Sequence, residues 1–232
     1  MRPEPSSERA TVQAAERGAA LALLPIAATL DYYILPDWLQ TQPLIQFAPQ
    51  ILAYLGMALW ASHNRPLLPR LGLEPHKLSA GVRGGLATGL LLGGLNTVVI
   101  LTVFPAMGYD ITFLKDTPHA RIPLLVMMPW FICGIAAFVE INFRGFLLGR
   151  LATLESQVTG FRLTPVALVA SAVAFAFDPF MVATFRHLHW IAVWDGLIWG
   201  ALWLKTKNLY LTIVAHAIEV IIMYLAVRAT LV

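Results

Sequence analysis

Charged residues and cysteine are scarce in this chain. Only 12% of its 232 residues are Asp, Glu, Lys or Arg, whereas soluble domains carry about 25%. The net charge of +3 is too small and too dispersed for a nucleic-acid-binding surface, so we expect no nucleic-acid partner. A single cysteine, Cys133, excludes a disulfide framework and any multi-cysteine zinc site.

Long apolar stretches take the place of the missing charges. No charged residue occurs in 38–62, 84–109 or 122–139. Runs of about 18 or more apolar residues predict transmembrane helices, whose surroundings are the lipid bilayer. We therefore predict an all-α, polytopic membrane helix bundle with a polar N-terminal cytoplasmic arm (1–17) and a single transmembrane domain (18–232). Its seven predicted spans are 18–36, 43–61, 81–107, 122–148, 163–180, 189–204 and 208–227.

The basic residues predict the orientation of the chain. With the N-terminus in the cytoplasm, eleven Lys and Arg fall on the cytoplasmic side and four on the outer side, which obeys the positive-inside rule. The cytoplasmic set is Arg2, Arg9, Arg17, Arg65, Arg70, Lys77, Arg83, Arg150, Arg162, Lys205 and Lys207, and the outer set is Lys115, Arg121, Arg186 and Arg228. We expect a multi-pass protein of the cytoplasmic (inner) membrane.

Glycine recurs every four residues along the third predicted span. The stripe consists of Gly81, Gly85, Gly89 and Gly93. The absence of side chains on one face allows a neighbouring backbone to approach closely, which drives helix packing in lipid. We favour packing inside the bundle, and a seam between two copies of the chain is the alternative.

Ionisable residues inside the predicted spans are the candidates for chemistry, because each costs about 2.5–3.5 kcal/mol to insert. They are Asp31, Glu140, Arg144, Asp178, His216 and Glu219. Glu140 and Arg144 are four residues apart, and His216 and Glu219 three, so each pair shares a helical face. Glu140 and His216 are also at similar depths from the cytoplasmic charges. We therefore expect Glu140, Arg144 and His216 to meet in one cavity that is open to the cytoplasmic half and lined by the fourth, fifth and seventh helices. We expect Asp178 to lie nearer the outer surface.

Three stretches of sequence resemble the motifs of a known family. EINFRGFLL at 140–148 resembles EExxxRG, the first motif of the CAAX protease and bacteriocin-processing (CPBP, Abi-type) intramembrane endopeptidases. SAVAFAFDP at 171–179 is similar to the second motif, FxxxH, and the run 196–218 to the approach to the third, HxxxN. The resemblance covers about residues 70–225 and implies a helical bundle in a bacterial inner membrane that cleaves peptide bonds near the cytoplasmic face.

The resemblance also implies roles for particular residues. In that family the first-motif Glu and the second-motif His activate water, and the third-motif His and Asn hold the oxyanion. Glu140, Arg144 and His216 are retained in this chain. The other motif positions differ from the family pattern. Val139 stands in place of the first Glu of the first motif, Pro179 in place of the second-motif His, and Val220 in place of the third-motif Asn.

These departures leave two main hypotheses for the function. One is a catalytically degenerate protein, a pseudoenzyme that binds other integral membrane proteins as a scaffold or accessory subunit. The other is an active intramembrane glutamic endopeptidase that cleaves a membrane-associated peptide. In that case Glu140 and His216 would activate water and stabilise the oxyanion, and Glu219 or Asp178 would replace the lost polar groups.

A third alternative is a metal or pigment site at His216, with Glu219 and Glu140 as neighbours, since imidazole and carboxylate are good ligands. No repeated metal-spacing motif accompanies these residues. We therefore expect neither a cofactor nor a metal.

Overall fold

Helices form the whole secondary structure of the computed structural model, which describes residues 16–232, and no strand occurs in that part of the chain. Seven longer helices follow one another there. We label them α1 (Ala19–Ile34), α2 (Ala48–His63), α3 (Leu67–Ala106), α4 (Leu124–Thr159), α5 (Pro165–Ala176), α6 (Pro179–Thr206) and α7 (Leu209–Leu231). Their order follows the order of the predicted spans.

Three of these helices, α3, α4 and α7, are each long and apolar enough to cross a membrane. α5 and α6 meet that standard together, with a bend of 52° at the break between them, and α1 is apolar but shorter. The described residues thus contain three spans by length and composition, or four if the bent pair is one span. A polytopic helical membrane protein is confirmed, and the count of seven crossings stays a prediction.

The glycine stripe of α3 lies against α7. A Cβ atom on Gly85 would come within 2.7 Å of the Leu211 carbonyl oxygen, and one on Gly89 within 2.7 Å of the Ala215 carbonyl oxygen. Real side chains do not tolerate such contacts, so only glycine permits the two backbones to approach this closely. The contact between α3 and α7 is the most extensive between helices of the described chain, and it fixes the position of His216.

Helix α4 winds irregularly where its functional residues lie. Trp130–Ala137 and Ile141–Leu148 are π-helical, and the short α-helical piece Phe138–Glu140 separates them. π-Helical turns are rare and often occur at functional sites. Pro129, just before the first π-helical piece, lacks the backbone N–H that would continue an α-helical ladder.

The predicted arm (1–17) lies outside the described residues except for its last two. The side chain of Glu16 is buried between helices α2, α3 and α4 and forms ion pairs with Arg150 and Arg70. It also accepts a hydrogen bond of 2.9 Å from the indole of Trp60. This carboxylate attaches the start of the described chain to the end of the bundle that carries most of the predicted cytoplasmic charges.

Candidate functional site

Glu140, Arg144 and His216 lie together in the interior of the bundle. Arg144 Nη1 donates to Glu140 Oε1 at 3.0 Å, and His216 Nδ1 lies 3.0 Å from the same oxygen. Glu140 and Arg144 come from α4 and His216 from α7, so this carboxylate oxygen joins the two helices. Since an ionised carboxylate only accepts hydrogen bonds, the proton of this contact belongs to His216 Nδ1.

Aromatic rings from α5 and α6 close the site. The guanidinium carbon of Arg144 lies 4.4 Å from the ring centre of Phe175 and 5.2 Å from that of Trp199. The Trp199 ring also lies against the His216 ring, with centroids 4.8 Å apart. A guanidinium over aromatic faces is stabilised by cation–π attraction, which is stronger when the pair is desolvated. Four helices, α4 to α7, therefore enclose the charged group.

The enclosure differs from the expected cavity open to the cytoplasmic half. Glu140, Arg144 and His216 are 0%, 1% and 6% exposed. The physical reason is the large aromatic side chains of Phe175 and Trp199, which fill the space beside Arg144. The sequence-based expectation counted helices four, five and seven around the site and omitted the contribution of Trp199 from α6.

A second polar cluster lies beside this site and joins α3, α6 and α7. Asn96 Nδ2 donates to both carboxylate oxygens of Asp195, at 3.0 and 3.1 Å, and to Glu219 Oε1 at 2.5 Å. The indole N–H of Trp194 donates to Asn96 Oδ1 at 3.0 Å. Glu219 is three residues from His216 on α7, and the carboxylates of Asp195 and Glu219 attract the guanidinium of Arg144. The two clusters are therefore neighbours that interact through their charges.

Sequence reasoning missed Asn96 and Asp195. Asp195 is an ionisable residue within the predicted span 189–204, so the criterion that selected Glu140 and Asp178 should also have selected it. Asn96 is a polar residue within the charge-free stretch 84–109, where an unpaired amide would be costly. That cost was the available signal for both residues.

Asp178 occupies a different part of the bundle. It lies at the break between α5 and α6, where its carboxylate accepts from the Phe180 backbone N–H at 3.1 Å and from Gln50 Nε2 at 2.9 Å. This carboxylate therefore caps the N-terminus of α6 and ties it to α2. Asp31, on α1, is exposed.

The three departures from the family motifs have structural roles. Val139 packs against the core cluster that contains Phe146 and Trp203, and Val220 packs against the cluster that contains Phe131. Pro179 is buried at the first turn of α6, where proline is well tolerated because that N–H lacks a helical partner. None of the three side chains can donate or accept a proton.

The described residues contain no group of three or more His, Cys, Asp or Glu side chains arranged to hold a metal ion. In the network described above, hydrogen bonds and ion pairs between protein groups engage Glu140 and His216. Asn96, which cannot be ionised, lies between the carboxylates of Asp195 and Glu219.

Together these features define a helical membrane protein with a buried Glu–Arg–His network. Residues 121–222 match the family model described as type II CAAX prenyl endopeptidase, Rce1-like. The match includes Glu140, Arg144 and His216 and confirms the resemblance to CAAX-protease-like proteins of the CPBP family. Neither the curated proteins nor the solved structures that were compared with the chain include a match.

Proposed function

We propose that this chain is a catalytically inactive CAAX-protease-like membrane protein that binds other integral membrane proteins as a scaffold or accessory subunit. One observation carries the proposal. The positions that correspond to the first-motif Glu, the second-motif His and the third-motif Asn hold Val139, Pro179 and Val220, which pack in the bundle or begin a helix. These side chains can neither activate water nor bind an oxyanion.

One oxygen of the remaining carboxylate, Glu140, is already engaged. Its Oε1 accepts from both Arg144 and His216, whereas Oε2 has no hydrogen-bond partner among the described residues. A general base must lie within hydrogen-bonding reach of the water that it deprotonates, and Glu140 has no surface exposed to water. The site is therefore better suited to holding helices together than to hydrolysis.

An open apolar groove supports a binding role. It has a volume of about 720 Å³ and runs between α1 and α5. Its lining residues are Ile26, Thr29, Leu30, Tyr33, Pro165, Val166, Val169, Ala170, Val173, Ala174 and Phe177. Their side chains are almost all apolar, which favours a hydrophobic partner segment.

Peptide cleavage by the purified protein tests the catalytic half of this proposal. Prenylated CAAX-type peptides and single-span membrane peptides should be cleaved no faster by the wild type than by Glu140→Gln. Turnover by the wild type that Glu140→Gln abolishes would contradict the proposal and favour an active glutamic endopeptidase.

The binding half is tested by the size of the native assembly in mild detergent. If the groove holds a partner segment, Val169→Trp and Val173→Trp should release the chain from a larger complex. Leu125→Trp is the matched control, because Leu125 is 91% exposed and lies on α4, away from the groove. An assembly that is equally large in all three variants would contradict partner binding in the groove.

A further inference from the structure

Asp195 and Glu219 share one donor group in the described part of the chain. Both accept hydrogen bonds from the same nitrogen, Asn96 Nδ2, at 3.0 and 3.1 Å for Asp195 and at 2.5 Å for Glu219. One amide thus holds two buried carboxyl groups side by side. Two ionised carboxylates this close would repel each other, and each could only accept. The geometry therefore favours a proton on one of them.

The charges around the pair lead to the same conclusion. Arg144 and Glu140 face it from α4, His216 lies one turn away on α7, and Asn96 from α3 is neutral. If every carboxyl group were ionised, three negative charges would face the single positive charge of Arg144, which Glu140 already neutralises. An uncompensated buried charge is costly and is normally removed by binding a proton. Asp195 and Glu219 are only 5% and 8% exposed, so solvent cannot compensate the excess.

We propose that Asp195 and Glu219 form an intramembrane proton-binding site, in which Glu219 is the protonated acid and donates to the Asp195 carboxylate. The hydrogen-bond partners assign the proton to Glu219. Both oxygens of Asp195 accept from Asn96, as a carboxylate should, whereas Glu219 Oε2 has no N–H or O–H donor among the described residues. Oε2 is therefore the oxygen that is free to carry the proton.

This site differs from the Glu140–His216 contact in its ligand and its residues. Its ligand is a proton, held between helices α6 and α7. Ionisable residues inside spans commonly mark proton-binding positions. The proposal does not depend on whether the chain cleaves peptides.

Infrared spectroscopy of the purified, reconstituted protein at neutral pH detects the proton directly. The wild type should show the C=O stretching band of a protonated carboxyl group, and Glu219→Gln should lose it. Asp31→Asn should leave the band unchanged, because Asp31 is exposed. Asp178→Asn identifies any separate band from the other buried aspartate. A spectrum that is identical in the wild type, Glu219→Gln and Asp195→Asn would overturn the proposal.

The pH dependence of stability is a second readout. The folded protein holds a proton that the unfolded chain releases above about pH 4.3, the ordinary pKa of Glu. The wild type should therefore lose stability as the pH rises from that value through neutral, until the folded site also releases its proton. Gln mimics the protonated acid, so Glu219→Gln should fold and show a shallower decline. Equal slopes for the wild type and Glu219→Gln would contradict the proposal, even if one of the other variants failed to fold.

Discussion

Oε1 of Glu140 accepts from Arg144 on its own helix and lies 3.0 Å from Nδ1 of His216 on α7, which is 76 residues further along the chain. A single carboxylate oxygen thus connects the two helices that carry the most recognisable family motifs. Its three-way contact accounts for the retention of these residues in a chain whose other motif positions differ. The energetic and chemical consequences of this contact can be tested separately.

Arg144→Ala should destabilise the fold strongly. It removes the positive partner of Glu140 and leaves a buried negative charge, so the free energy of unfolding should fall by about 3–5 kcal/mol. Chemical unfolding in detergent measures the change.

Arg121→Ala is the matched control for that measurement. Arg121 also pairs with a carboxylate, Asp116, at 2.7 Å, but its side chain is 67% exposed. Exposed ion pairs contribute about 0–1 kcal/mol. Equal losses in Arg144→Ala and Arg121→Ala would mean that the buried pair does not stabilise the bundle.

The glycine stripe offers another comparison. Gly89→Ala places a methyl group 2.7 Å from the Ala215 carbonyl oxygen, so it should separate α3 from α7 and cost about 1–3 kcal/mol. Gly94→Ala lies on the same helix with nothing within 4 Å of the added atom, and it should not destabilise the protein, because alanine is a better helix former than glycine. Thermal unfolding distinguishes the two variants, and equal melting temperatures would argue against close packing along this face.

Cysteine labelling tests the predicted orientation of the chain in the membrane. In a Cys133→Ser background, a membrane-impermeant thiol reagent should label Arg65→Cys from the cytoplasmic side and Lys115→Cys from the outer side, because the positive-inside rule places them there. Both positions are exposed in the structure. Labelling of both from the same side would refute the predicted topology.

Partial repair of the family motif should not restore activity. Val139→Glu returns the first carboxylate, but Pro179 still lacks the imidazole of the second motif. We therefore expect no cleavage of prenylated peptides by Val139→Glu above the level of the wild type. Product detection by mass spectrometry measures this, and clear turnover would show that the imidazole is dispensable in this bundle.

The sequence predicted the helical membrane fold and the principal site residues for different reasons. Charge-free stretches identify apolar helices without any tertiary information, and the four-residue spacing of Glu140 and Arg144 survives even though this part of α4 is π-helical. The partner of Glu219 was not predictable in the same way. Asn96 and Asp195 come from α3 and α6, and only tertiary packing determines that their side chains meet.

The enclosure of the site also could not be predicted from the sequence. The apolar stretch 189–204 shows that Trp199 lies in a predicted span, but it does not show which residue the indole ring covers. In the structure that ring lies against both His216 and Arg144. The bend between α5 and α6 lies at Asp178 and Pro179, which end one helix and begin the next. The angle of that bend depends on tertiary packing and could not be predicted from these two residues.

A paired measurement on the wild type and Glu140→Gln tests the proposed inactive, structural role of the buried site. Peptide cleavage and unfolding free energy are determined on the same preparation. We expect Glu140→Gln to lower the unfolding free energy, because it weakens the contact with Arg144, and we expect neither protein to cleave prenylated peptides. Cleavage by the wild type that disappears in an equally stable Glu140→Gln would contradict this role.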